Sequence, residues 1–445
     1  MSGHAFSSHI YAQLFPTGDV ARLFSDTAEV RAMMLVEGAL AKAQGARGII
    51  PEVSGRAIHR ASLELQLDPA GLAEGTGQNG VPVPAFLSLF RAAMQAPEHA
   101  QYLHWGATSQ DIVDTALMLR LRQVLGHYED RLTACLGHLA RLASEHAATP
   151  MAARTYGQHA TPTSFGAVAA SWGWPLLELR AEIDGLRAAL PVSLSGASGT
   201  AEALQPEAAA LRADLAAALG LADPGRSWHT DRTPLLRLGA WIARAAAALG
   251  KIGEDLTLAT QSGVAEVRLG GAGGSSTMPQ KQNPVGPSVL SALAAQATGL
   301  NATLQGAGVH RQQRDGAAWF TEWLTLPSLC LSLAAALTRA EDVLGGLAPA
   351  TEAMADTLSR SQGLLAAEAL SFALTDRMSR TEAQAEVKAL AGTVASEGGH
   401  LQDAALARWP GIDPALFDPA QEIGTAPGDA REFAAAVAAI SRSKD

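Results

Sequence analysis

Between residues 270 and 284 the chain reads Gly-Gly-Ala-Gly-Gly-Ser-Ser-Thr-Met-Pro-Gln-Lys-Gln-Asn-Pro, which sets two serines, a lysine and an asparagine into glycine-rich backbone. Glycine permits unusual backbone angles and leaves amide groups free, Ser275, Ser276 and Asn283 add hydrogen-bonding groups, and Lys281 adds a positive charge. Together these groups could wrap a carboxylate. A flexible interhelical linker would have the same glycine content. Such a linker has no use for Lys281 and Asn283 beside paired serines and two prolines, which favours a ligand loop. Arg314, within His310-Arg311-Gln312-Gln313-Arg314, is a second candidate for an anion, because a guanidinium can grip a carboxylate bidentately. A surface arginine is its alternative reading.

Groups of this kind need rigid elements to hold them, and the sequence predicts helices. Alanine and leucine dominate, aromatic residues are 5% and β-branched runs are scarce. From 234 to 265 the apolar residues Leu235, Leu238, Trp241, Ile242, Ala245, Leu249, Ile252 and Leu256 recur at helical spacing, with Pro234 suited to a first turn. Comparable signals cover 127–147, 171–190, 287–304 and 319–344, the last with a kink expected at Pro327. No alternating strand pattern persists. Several long helices with apolar or small-residue faces imply a central bundle. The expected architecture is all-α, with an N-terminal helical domain at 1–114, a long-helix domain at 115–359 and a C-terminal helical domain at 360–445. Segments rich in Gly, Ser, Thr, Pro and Asn separate the helices at 75–84, 104–115, 154–166, 193–200 and 269–284, and chemistry is expected there.

Composition narrows the function classes. The 445 residues are 48% hydrophobic and 17% charged, enough to bury a large core. The net charge is −10 without a block of Lys or Arg, which removes the footprint of a nucleic-acid binder. Apolar runs are short or interrupted, as at Pro327, so no membrane span is expected. Residues 1–20 lack a basic segment followed by an apolar one, which places the expectation in the cytoplasm. Cys135 and Cys330 are isolated and read as core residues. The histidines outside these segments show no metal-ligand grouping, so no metal site is expected.

Residues 274–284 resemble the GSSxMPxKxNP signature of the fumarase/aspartase superfamily. Two further segments resemble superfamily regions in the same order: His104-Trp105-Gly106-Ala107-Thr108-Ser109-Gln110-Asp111 through Thr115, and Arg154-Thr155-Tyr156-Gly157-Gln158-His159-Ala160-Thr161-Pro162. Smaller matches at 102–115, 158–162, 196–199, 228–232, Trp319 and Glu322-Trp323 resemble the carboxymuconate cycloisomerase branch. The resemblance spans nearly the whole chain and is weakest after about residue 380.

The resemblance implies proton removal next to a carboxylate, an aci-carboxylate dianion, and departure of a group from the neighbouring carbon. Stabilising that dianion is the costly step, and it falls to Lys281, Asn283, Ser276, Thr108, Ser109 and Arg314. Ser275 aligns with the superfamily's base; a serine needs Lys281 and loop amides to stabilise its alkoxide, and a helix cap is its alternative role. Met278 and Gln158 fall among the implied substrate contacts. In most superfamily lyases a histidine follows the Arg-Thr pair and protonates the leaving group, whereas here the residue is Tyr156. A carboxylate leaving group, with a reference pKa of about 4, can depart without a proton, as in lactone opening. His159, three positions on, has two readings: an acid or orienting group in the pocket, or a structural histidine. His104 stands likewise. Asn79 is either a substrate contact or a plain turn residue, and Arg232 either a pocket residue or helix-entry packing. The implied substrate is a small di- or tricarboxylate, and the implied assembly is a homotetramer whose sites draw on several subunits. An adenylosuccinate-type lyase and a catalytically silent structural member are the alternatives.

Overall fold

The structure, a computed structural model, describes residues 4–271, 273–274, 278 and 281–442. Helix dominates it, as expected. The 234–265 signal forms helix Thr233–Ala259, and all eight residues of its apolar stripe are 2% exposed or less. It ends at Ala259, earlier than the pattern predicts, and the chain turns beyond it, where Gly263 and Ala265 take positive φ angles of 88° and 49°. The other signals become helices Phe165–Ala188, Val285–Gly306 and Gly316–Gly345. Pro327 lies inside the last of these without ending it. That helix is long and apolar enough to cross a membrane by length and composition, yet 67% of its most apolar window is buried within the fold.

Helix Ser109–Glu145, 37 residues long, starts well before the 127–147 signal. Its start is set by Asp111, whose carboxylate accepts the Thr108 backbone N–H at 3.1 Å, one half of a capping box. Residues 109–115, expected between helices, are therefore its first turns.

Two compact units are formed. One comprises Met1–Arg131, Leu179–Ala247 and Ala292–Thr338, and the other Leu132–Glu178, Ala248–Ser291 and Arg339–Asp445. The first unit packs Met33, Met34 and Leu40 of helix Asp26–Ala46 into a core with Phe86, Phe90 and Trp319. The second has a core around Leu370, Leu374, Ala383 and Leu401.

The second unit also contains a hairpin that the sequence reading did not anticipate, Pro150–Thr155 paired antiparallel with Gln158–Ser164. Its two turn residues, Tyr156 and Gly157, have φ of 54° and 73°, the left-handed pair of a type I′ turn. Below the turn, Arg154 forms a bidentate ion pair with buried Glu266, at 2.6 and 2.8 Å. The hairpin leads directly into helix Phe165–Ala188, which crosses the end of helix Ser109–Glu145 closely at Gly166. A Cβ there would lie 2.6 Å from the Ala143 carbonyl oxygen and 2.7 Å from Ala147 Cα.

Backbone atoms cannot yield as a side chain would, so Gly166→Ala is expected to destabilise the protein by about 1–3 kcal/mol. Chemical denaturation of the wild type and the variant measures this, and an unchanged midpoint would show that the two helices separate at little cost.

Candidate active site

The first turn of helix Ser109–Glu145 carries a dense set of buried polar contacts. Asp111, fully buried, accepts from Ser193 Oγ at 2.9 Å, the Ser195 and Gly196 amides at 2.9 and 3.0 Å, and His229 Nε2 at 2.8 Å, besides the Thr108 amide. Gly196 has φ +69°, which lets successive amides converge on one carboxylate. The bond to Asp111 places the His229 proton on Nε2, and buried Nδ1 has no hydrogen-bond partner among the described residues.

One turn further on, Asp114 faces Arg232. Arg232 donates to Asp114 at 2.7 and 3.1 Å and to Glu322 at 2.8 and 2.7 Å, with its guanidinium 4.6 Å from the Trp228 ring centre. Its side chain is 0% exposed. Arg232, considered above as a substrate contact, therefore occupies a position suited to holding elements together. Burial works against its charge, but the two carboxylates more than offset this and raise its pKa. Burial likewise pushes the Glu322 carboxyl up, while His310 and Arg232 together hold it below the usual carboxylate range.

Gln110 links this pair to the surface. Its Nε2 donates to Asp114 at 3.2 Å and to the His229 carbonyl at 2.9 Å, and its Oε1 accepts from Arg314 Nε at 2.9 Å. Arg314 Nη2 donates to the Ala197 carbonyl at 3.1 Å and reaches Thr108 Oγ1 at 3.5 Å. Among the described residues Arg314 has no carboxylate partner. It stands exposed beside the amino end of a 37-residue helix, whose dipole also favours an anion. Thr108 and Arg314 thus lie together at this helix end, with Ser109 next in sequence. The loop that presents Arg314 is shaped by Asp315, which pairs with Arg311 at 2.5 and 3.0 Å and caps helix Gly316–Gly345 through the Ala317 amide.

His104 lies on the same approach, in left-handed backbone at φ +68°. Its Nδ1 is 2.6 Å from Glu37, a carboxylate whose side chain is 1% exposed. Burial lowers the His104 pKa, but the adjacent Glu37 carboxylate, helped by Asp111 and opposed by Arg91, leaves it raised above the ordinary value. Asn79 sits at the end of helix Ala73–Asn79 and donates back to the Gly75 carbonyl at 2.8 Å, a helix-end contact.

The remaining candidates belong to the second unit. Tyr156 projects fully exposed from the hairpin turn, and Gln158 and His159 are exposed on the returning strand, with His159 opposite Arg154. Residues Gly273–Gly274 pair antiparallel with Gln282–Asn283, so the signature segment rises from a short two-stranded stem. Val285, at the start of helix Val285–Gly306, sits where a Cβ on Gly273 would be, 2.7 Å away. Lys281 is exposed, its amide donating to the Met278 carbonyl at 3.0 Å; Met278 is also exposed and Asn283 half-buried. Ser275 and Ser276 lie outside the described residues.

Sequence reading missed Glu37, Gln110, Asp114 and Glu322 as members of the site's support. Gln110 and Asp114 were detectable as a polar i, i+4 pair after a helix-start signal. Glu37 carried no local signal, and Glu322 only its place in the Glu322-Trp323 match, because their partners are 67 and 90 positions away.

Residues 20–299 match the family described as Lyase. The chain is 36% identical over 441 residues to the 3-carboxy-cis,cis-muconate cycloisomerase of Pseudomonas aeruginosa, covering 94% of each chain. It is also 36% identical over 426 residues to the nitrosuccinate lyase of Streptomyces davaonensis, covering 91% of this chain and 90% of that one. The crystal structure of 3-carboxy-cis,cis-muconate lactonizing enzyme from Pseudomonas putida is similar with a TM-score of 0.90 and 32% identity, covering 98% of this chain and 100% of that one.

The His104–Glu37 contact has a measurable consequence. Because its folded pKa is raised, the pair adds stability that is full below the unfolded value of about 6.5 and is lost as pH rises through the folded value. Glu37→Gln is expected to lower the His104 pKa and flatten that dependence. NMR titration of the imidazole tests this, and an unmoved pKa would remove Glu37 as its cause.

Proposed function

We propose, since this chain belongs to the fumarase/aspartase superfamily of lyases, that it interconverts 3-carboxy-cis,cis-muconate and a carboxymuconolactone. The observation that carries most weight is Arg314, a cation that the described residues orient through neutral oxygens beside a helix amino end. Such a group retains its charge for a substrate carboxylate. In the ring-closing direction a carboxylate oxygen bonds to one alkene carbon and a proton is added to its neighbour. In the reverse direction the Ser275 alkoxide takes that proton, charge gathers on the adjacent carboxylate, and the ring oxygen leaves as a carboxylate.

In this reading Lys281, Asn283, Ser276, Thr108, Ser109 and Arg314 stabilise the dianion, and Gln158, Met278, His104 and Asn79 border the substrate. His159 orients it. Arg232 supports the site from within the fold. No cofactor is required, because serine and lysine manage the proton and fixed donors manage the charge. The reading carries with it three domains divided at 114/115 and 359/360, a homotetramer with shared sites, and a cytoplasmic role in aromatic catabolism through protocatechuate.

A second reading is favoured by the equal identity to a nitrosuccinate lyase. Loss of nitrite from a nitrosuccinate would likewise expel an anion that needs no proton, so Tyr156 fits both reactions.

Mixing the protein with 3-carboxy-cis,cis-muconate is expected to bleach the conjugated-diene absorbance. Release of nitrite from nitrosuccinate, or cleavage of adenylosuccinate, without that bleaching would overturn the proposal. Arg314→Ala is expected to lower kcat/KM on the order of 100- to 1000-fold, the typical loss for one preorganised donor. Tyr156→Phe should retain most of the lactonising activity in the same assay. A folded Y156F protein without turnover would make Tyr156 an acid.

A further inference from the structure

We propose that Gln110 is a positioning residue that aims Arg314 at the substrate carboxylate without neutralising it. The inference rests on the carboxylate-binding role given to Arg314 above and extends it to a side chain that no substrate need touch. Gln110 is fully buried, and its amide has one compatible orientation. The NH2 group faces two acceptors, Asp114 and the His229 carbonyl, so the oxygen must face Arg314 Nε. Asp114 cannot rotate away, because Arg232 and the Trp319 indole N–H hold it at 2.7 and 3.2 Å. Donors and acceptors therefore alternate from Glu322 through Arg232, Asp114 and Gln110 to Arg314.

The end of this chain explains why the fourth member is an amide. A carboxylate at position 110 would form an ion pair with Arg314, cancelling the charge that the substrate needs, and would lie against the Asp114 carboxylate. An amide oxygen orients the guanidinium through Nε and leaves it cationic. With Nε on Gln110 and Nη2 on Ala197 and Thr108, Nη1 has no partner among the described residues. The near-isosteric change Gln110→Glu should thus be more harmful than Gln110→Met, which removes the bond but adds no charge.

The test measures KM and kcat for 3-carboxy-cis,cis-muconate together with the Kd for tricarballylate, a non-reacting tricarboxylate probe. Gln110→Met is expected to raise Kd roughly tenfold and Gln110→Glu roughly 100-fold, and each to lower kcat/KM by at least the same factor, because Arg314 also faces the charge of the dianion. In an Arg314→Ala background Gln110→Met should add nothing further, because both changes act on one contact. Additive effects, unchanged Kd, or a milder Gln110→Glu would overturn the proposal. Gln110→Met carries the test should Gln110→Glu fail to fold. Wild-type protein that binds tricarballylate with this pattern but leaves the muconate untouched would overturn the functional reading and keep Gln110 in its role. Wild-type protein that binds no tricarballylate would overturn the Gln110 proposal.

Discussion

The arrangement depends on one buried guanidinium. Arg232 lies between Asp114 and Glu322 with no solvent contact, and through them ties the start of helix Thr233–Ala259 to helices Ser109–Glu145 and Gly316–Gly345. Burying three charges is expensive, and the group is stable only because the geometry is close to complete. Both carboxylates accept from the guanidinium in pairs, the Trp228 ring covers its face, and Trp319 and Gln110 donate to the remaining Asp114 sites. Removing one partner of such a group typically costs about 3–5 kcal/mol, because the others stay buried and unpaired. A bond network with so few alternatives fixes register, and that fixed register is what a precise anion site requires.

The same residue type stands in opposite electrostatic settings within this unit. Arg232 is surrounded by carboxylates and is electrostatically satisfied, whereas among the described residues Arg314 bonds only neutral oxygens. Exposure alone does not separate the roles, since Arg311 is also on the surface and is fully engaged by Asp315. What distinguishes Arg314 is ordered geometry combined with unspent charge.

Sequence legibility followed distance along the chain. The helical stripe of 233–259 was readable because its neighbours are three and four residues apart, and each of its eight positions is buried. The signature segment stood out by composition, and its described ends form a short stem that composition did not reveal. The hairpin at 150–164 was not legible: it lacks β-branched apolar alternation, and its turn uses Tyr-Gly where Asn-Gly would be the usual signal. Sequence alone leaves Arg232 between a pocket role and helix-entry packing, because the carboxylates that pair with it lie 118 and 90 positions away. Local chemistry can be read from residue types, while the decision between a structural and a binding role is made by partners that only the fold brings near.

Tyr156 shows how backbone and chemistry can be separated. It occupies the first left-handed position of its turn, with φ +54°, a conformation that costs a bulky L residue roughly 1–2 kcal/mol. Histidine is among the residues enriched in that region and would suit the turn better than tyrosine does. The backbone therefore does not explain why tyrosine stands where most superfamily lyases carry the proton-donating histidine. In the proposed reaction the leaving group would account for it: a departing carboxylate has no use for a proton at neutral pH, and without that demand the position is free of the imidazole.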